Sequence, residues 1–311
     1  MEERYVGIEI GGSKLQVVLG DREARIVERR HMRVERDRGA ARIREQIEDA
    51  IRHVAGGEEP RAVGIGFGGP VDVDTGRVAL SYQVEGWADF EVRTWLAELT
   101  GLPVSVDNDA NTAALGEAVR GAGSGHRLVF YATLGSGMGG GMVIDGRIYH
   151  GARPGESEVG LMCFDKSGAT VESRCCGWAV DAKVRHCINE HPDGVLARLA
   201  GQESGAEARF LAPALAEGDP GARAILEETA EDIAFGLSLA AHLFHPEVLV
   251  LGGGLSLIGE PLRAAVAARV PRFMTEAFKP GPEVKLAALG EDVVCVGALL
   301  LARQAVAVNG G

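Results

Sequence analysis

Two kinds of residue in this chain could do chemistry at their spacing. The first are glycine turns that expose backbone N–H groups, and the second is a carboxylate, Asp109, just before an alanine-rich segment. The glycines gather in four clusters: Gly11-Gly12; Gly64, Gly66, Gly68 and Gly69; Gly135, Gly137, Gly139, Gly140 and Gly141; and Gly252 to Gly254. Each follows a short apolar, β-rich run. Lacking Cβ atoms, such turns let N–H groups close on an anion such as a phosphate. Any one of them alone is equally a tight β-turn, and neither GxGxxG nor GxxxxGKS/T fits the first cluster. Asp109 also reads two ways. A carboxylate there caps the helix ANTAALGEAV favourably, and within reach of a hydroxyl it could accept a proton.

The elements that must position these residues alternate. Tyr5 to Leu19 reads as a hairpin around the first glycine turn, with a further strand near Ile26 to Val34. Ala40 to Val54 places Ile43, Ile47, Ala50, Ile51 and Val54 on one helical stripe. Ala62 to Phe67 is a buried strand stopping at Gly68-Gly69-Pro70, Trp95 to Leu99 belongs to a short helix, and Val104 to Val106 is extended. LVFYATL, GSGMGGG and MVID form a second strand–glycine–strand unit that echoes the first. Ala222 to Phe244 is a long helix stopping at His245-Pro246, followed by the strand Glu247 to Leu251. Pro261 to Ala277 and Val293 to Val306 read as helices flanking an extended Val284 to Leu289. The class is therefore α/β. Two halves, each opening on a glycine-turned hairpin, suggest a duplicated fold of two lobes with a central cleft: residues 1–118 completed by 292–311, and residues 119–291.

Composition narrows the partners. Of 311 residues 44 are glycine, about twice the usual share, and the glycines have no collagen period. The net charge is −12, which disfavours nucleic acid as a bulk electrostatic partner. The Arg-rich stretch Arg22 to Arg44 is interleaved with Glu and Asp and reads as a solvated surface. No 18-residue apolar run predicts a membrane span, and the start carries no signal-peptide pattern. Five cysteines at irregular spacing do not form a disulfide framework. A cytoplasmic protein is expected.

Taken in order, GIEIGGSKLQVVLGD, GIGFGGPVD, the lone Trp87, PVSVDNDANTAALGE, TLGSGMGGGMVIDGRIYHGARPGESEVG and VLVLGGGLS resemble the ROK family of sugar kinases, whose fold is that of the actin-like (ribonuclease H-like) ATPases. The likeness runs from residue 7 to residue 256. It implies ATP-dependent phosphorylation of a hexose or hexose derivative, with magnesium bridging the ATP phosphates. It assigns Gly11, Gly12, Ser13 and Lys14 to a first phosphate loop, Gly135, Ser136, Gly137 and Gly139 to a second, and Gly252, Gly253 and Gly254 to the adenosine side. Asp109 becomes the general base. Gly69, Asn108 and Glu158 become sugar contacts alongside it. Glu9, where the family usually has Asp, becomes a magnesium contact through water. A homodimer is the family expectation.

The pattern breaks after Glu158. Leu161 stands where the family's Glu-x-Gly-His carries His. In SRCCGWAVDAK, Cys176-Gly177 matches the family's zinc segment, while Arg174, Val180, Asp181 and Lys183 fall on its Cys, Gly, Cys and Glu positions. One ligand of four remains, so the family zinc is expected to be absent. Cys163, Cys175, Cys176, Cys187 and His186 could only build a different site, and free thiols are the simpler reading. The lost His and the Lys183 exchange also change groups that would contact sugar hydroxyls, which leaves the sugar open. The competing function is a catalytically weak sugar- or nucleotide-binding protein. A repressor would need a helix-turn-helix ahead of Tyr5, and an ATPase or chaperone would not need Asn108, Asp109 and Glu158.

Overall fold

The first apolar runs form a hairpin. β1 (Arg4–Ile10) and β2 (Lys14–Asp21) pair antiparallel around the Gly11–Ser13 turn, and β3 (Ile26–Arg33) adds to the other edge of β2. The computed structural model describes residues 2–79, 85–152, 157–201, 203 and 205–309. Helix α1 (Gly39–Ala55) buries Ala40, Ile43, Ile47, Ala50 and Val54, as the stripe requires, and leaves Ile51 half-buried. It stops at Gly56, whose left-handed backbone (φ 53°) suits glycine. Next come β4 (Val63–Phe67), the short ribbon of β5 (Val71–Asp72) and β6 (Arg77–Val78), then α2 (Val92–Thr100), β7 (Val104–Asn108) and α3 (Asp109–Arg120). The sheet order is β3-β2-β1-β4-β7, with β1, β4 and β7 parallel. Trp87 is a core residue, edge-on to Phe67 and Phe90 with both ring centroids 5.4 Å away.

The second hairpin is β8 (Leu128–Leu134) and β9 (Met138–Ile144), extended by β10 (Arg147–Ile148). Here the strand resumes at Met138, so the turn is only Gly135–Gly137, and Gly139, Gly140 and Gly141 lie in β9. A Cβ on Gly141 would come within 2.7 Å of the Ala114 Cβ, so this glycine serves close packing on α3. After β10 come α4 (Glu172–Cys175), α5 (Gly177–Glu190), α6 (Val195–Ala200), α7 (Leu211–Ala216) and α8 (Pro220–Phe244). Helix α8 starts on Pro220 with the Asp219 carboxylate accepting the Ala222 N–H (2.6 Å), and ends at His245 before Pro246. Then follow β11 (Val248–Gly252), α9 (Glu260–Phe273), β12 (Glu283–Leu286) and α10 (Val293–Asn309). The second sheet has the order β10-β9-β8-β11-β12, which repeats that of the first.

The chain forms two compact units: Met1–Gly125, Gly141–Ser157 and Leu289–Gly311 in one, His126–Gly140 and Glu158–Ala288 in the other. No helix among the described residues is long and apolar enough to cross a membrane.

In the first unit α10 closes the core, packing on β1, β4 and α3. Gly7 of β1 and Gly64 of β4 are register partners, and side chains there would keep the helix out. A Cβ on Gly64 would overlap the Ala298 carbonyl, and one on Gly7 would lie 2.9 Å from the Cys295 carbonyl oxygen. On the helix itself, a Cβ on Gly297 would overlap the Thr112 carbonyl of α3. Much of the glycine excess is thus a packing requirement separate from the turns. Gly297→Ala should cost at least about 1–3 kcal/mol of stability through overpacking, read as a lower urea midpoint; an unchanged midpoint would contradict this seating of α10.

Candidate active site

Three parallel strands of the first unit end side by side. Ile10, Phe67 and Asn108 are in register across β1, β4 and β7, so the Gly11 turn, Gly68-Gly69 and Asp109 emerge at one sheet edge. Ligands of open α/β sheets bind outside such carboxyl ends. The Gly68 N–H donates to the Ile10 carbonyl (2.8 Å), drawing the second turn onto the first. A Cβ on Gly68 would sit tightly, 3.2 Å from the Ile10 carbonyl oxygen, and at ordinary contact distance from Asp109 Oδ2 (3.4 Å) and the Gly11 Cα (3.5 Å), so the three segments lie side by side here.

In the first turn the Gly11 N–H donates to the Lys14 carbonyl (2.9 Å), and the Ser13 carbonyl accepts from the Val34 N–H (3.0 Å). Among the described residues neither the Gly12 nor the Ser13 N–H donates to a backbone carbonyl. The Lys14 ammonium is held by Glu9, Nζ to Oε1 3.1 Å, and Gln16 Nε2 donates to Glu9 Oε2 (2.8 Å). Both oxygens of the buried Glu9 carboxylate therefore already have donors.

At the end of β7 the helix cap is Asn108. Its backbone is extended (φ −62°, ψ 150°), and its Oδ1 accepts the N–H groups of Ala110 (2.8 Å) and Asn111 (3.2 Å). This corrects the capping alternative for Asp109, which is the first helical residue, with Oδ1 on the Ala110 N–H (2.9 Å). Asn108 Nδ2 donates to the Gly69 carbonyl (3.2 Å), tying the cap to the glycine turn. Behind the cap lies a group that the sequence reading did not single out. Asp107 Oδ1 accepts from the Asn108 N–H (2.8 Å) and Asn111 Nδ2 (3.0 Å), and Oδ2 meets His150 Nε2 at 2.7 Å.

The second unit contains a cavity of about 620 Å³, of a size that takes small molecules. Gly135 and Ser136 line one part, Trp178 and Arg209 another, and Gly254 and Leu257 a third. Trp178 and Leu257 are 71% and 83% exposed, offering a flat aromatic and an aliphatic surface at the rim. The Gly177 N–H at the start of α5 donates to the Gly135 carbonyl (2.7 Å), seating the helix on the turn. Gly252 and Gly253 do not line the cavity. Gly253 has φ 79°, and a Cβ there would lie 2.6 Å from the Leu134 backbone, so it lets β11 turn against β8.

Glu158 belongs to this unit. Its carboxyl is raised above the ordinary glutamate value, first by burial and then by the negative charge of Glu172. Glu172, also missed in the sequence, accepts the Met138 N–H (3.2 Å) just after the glycine turn. The residues at the family zinc positions are otherwise engaged. Leu161 is 54% exposed, Arg174 lies over the Phe164 ring (4.9 Å), Cys176 is buried, and Asp181 accepts the Ala208 N–H (2.7 Å). Lys183 pairs with Glu228 (3.0 Å) and Asp232 (3.5 Å) of α8, so its charge is spent within the unit. Burial pushes the Cys175 thiol up to about 12, which makes it a poor metal ligand. Among the described residues no three His, Cys, Asp or Glu side chains gather to hold a metal ion.

The ROK family model matches residues 5–305. A glucokinase of Halalkalibacterium halodurans is 30% identical over 96% of this chain and 95% of its own length, and a glucokinase of Thermotoga maritima is 28% identical over 97% and 98%. Among solved structures, a ROK family glucokinase from Streptomyces griseus, in complex with glucose and AMPPNP, superposes with a TM-score of 0.84 at 31% identity, covering 97% of this chain and 99% of that one. The α/β architecture with two like-ordered sheets is that of the actin-like ATPases. With its family model spanning nearly the whole sequence, the chain belongs to the ROK family.

Proposed function

We propose that this protein transfers the γ-phosphoryl group of ATP to a hydroxyl of a hexose or hexose derivative, with Asp109 as general base. The observation that carries the reading is the Asp109 carboxylate at the carboxyl edge of the first sheet, against Gly68 and beside Asn108. A sugar hydroxyl is a weak nucleophile, and a carboxylate in hydrogen-bond reach takes its proton as the phosphoryl group departs from ADP. Asn108 is rigid there because its Oδ1 caps α3, so it would orient the sugar through Nδ2, which also holds the Gly69 carbonyl. The named glucokinase relatives support glucose as the first acceptor to test.

The nucleotide would use the cavity of the second unit, its adenine against Trp178 and Leu257 and its phosphates toward the Gly135–Gly137 turn. The Gly11–Lys14 turn would offer further N–H groups to the phosphates. Magnesium bound with ATP would supply positive charge that offsets that of the phosphates. Glu9 would hold its water shell rather than the ion, since Lys14 and Gln16 already occupy both carboxylate oxygens. Glu158 would accept hydrogen bonds from sugar hydroxyls. With Leu161 at the motif His and Lys183 tied to α8, Glu158 would carry the sugar contact of those three motif positions.

Two measurements test this. In a coupled ADP-release assay across hexoses, amino sugars and N-acetyl sugars, Asp109→Asn should lower kcat by about 10²–10⁴-fold; turnover kept nearly intact would remove Asp109 as the base. For Glu158, a raised pKa means that the folded state holds the proton more tightly than the unfolded chain. Its contribution to stability is therefore present at low pH and is lost as pH rises through the raised value. Glu172→Gln removes the second raising cause and leaves burial. In carboxyl ¹³C NMR the Glu158 titration should move down yet stay above the ordinary glutamate value; an unmoved titration contradicts the coupling.

A further inference from the structure

The proposed chemistry has no task for Asp107 and His150, yet their geometry is the most constrained at the strand ends. The Asp107 side chain is 3% exposed, and a carboxylate so buried persists only when its oxygens are met by donors. Here they are. Oδ1 takes the Asn108 N–H and the Asn111 amide, on either side of Asp109, and Oδ2 takes His150 Nε2 at 2.7 Å. A carboxylate only accepts hydrogen bonds, so Nε2 carries the hydrogen and the tautomer is fixed.

We infer that Asp107 and His150 are a positioning pair that sets the orientation of Asn108 and Asp109 for attack by the sugar hydroxyl. The inference rests on the kinase reading above. Asp109 is the first residue of α3, so its direction follows from the bend between β7 and the helix. That bend is held from behind by one carboxylate, which grips residue 108 through its backbone and residue 111 through its side chain. His150, arriving from the end of β10, closes the remaining oxygen and keeps the carboxylate from turning away from those two partners. It lies 43 residues along the chain, so it fastens the base-bearing turn to a separate part of the first unit.

The test compares His150→Phe, His150→Gln and Asp107→Asn with the unaltered protein, reading kcat, sugar KM and AMPPNP affinity by calorimetry. A displaced base costs rate, so His150→Phe should lower kcat by about tenfold to a hundredfold. AMPPNP affinity should be unchanged, because the nucleotide cavity is built from other residues. Gln carries an N–H donor, so His150→Gln should recover most of the lost rate. Asp107→Asn, which swaps an acceptor for a donor, should be at least as slow as His150→Phe. A His150→Phe kcat within about twofold of the unaltered protein overturns the pair. A His150→Gln as slow as His150→Phe, or an equal loss of AMPPNP affinity, also overturns it, since either marks a general structural role. If the unaltered protein releases no ADP with any sugar, the kinase reading fails and the pair falls with it; sugar-dependent turnover indifferent to His150 removes the pair alone.

Discussion

The register of three parallel strands is the constraint on which the first unit's chemistry depends. Because Ile10, Phe67 and Asn108 end level with one another, the Gly11–Ser13 turn, the Gly68-Gly69 turn and the Asp109 carboxylate reach the same edge without any loop having to fold back. Gly68 sits where they meet, with the Asp109 carboxylate and the Gly11 Cα both in contact range of its Cβ position and its N–H on the Ile10 carbonyl. The helix cap falls to Asn108, and this leaves Asp109 pointing from the first turn of α3 with the helix N-terminus favouring its charge.

Holding that register takes close packing behind it. Helix α10 lies against β1, β4 and α3 only because Gly7, Gly64 and Gly297 remove the side chains that would separate them. The same residue type therefore works at two distances from the site. In the turns it opens backbone N–H groups, and in the core it brings a helix onto the strands that carry those turns. The second unit repeats the strand order but uses its glycines differently. Gly135 lines the cavity, while Gly253 serves a left-handed backbone against Leu134.

The elements were legible where a single period ruled. The α1 stripe, the two hairpins, the Pro220-to-Phe244 helix and the strands before each glycine turn follow from local pattern and punctuation. The second turn was read too long, because Gly139 to Gly141 look like loop residues and instead lie in β9, where Gly141 packs on α3. Local sequence offered Asp109 as the cap, since Asn and Asp cap equally well; which of two neighbours does so depends on where β7 stops. Asp107, His150 and Glu172 were illegible for a common reason. Each acts through a contact across long stretches of chain, 43 residues from Asp107 to His150 and 34 from Glu172 to Met138, which no local spacing encodes.

Apart from Glu9, the departures from the family pattern fall between Leu161 and Lys183, and residues there have structural partners of their own. Lys183 is neutralised on α8, Asp181 anchors the Ala208 N–H, and Arg174 covers Phe164. The strand-end group of the first unit lies outside that segment, and the cavity of the second, which shares Gly177, Trp178 and Asp181 with it, keeps Gly135 and Ser136 in its lining, which is why phosphoryl transfer to a sugar stays the account's centre. The most direct check is ³¹P NMR of the protein with Mg-ATP and an accepted sugar. One sugar phosphomonoester should grow in step with ADP, whereas ADP accompanied by inorganic phosphate and no phosphomonoester would contradict the account.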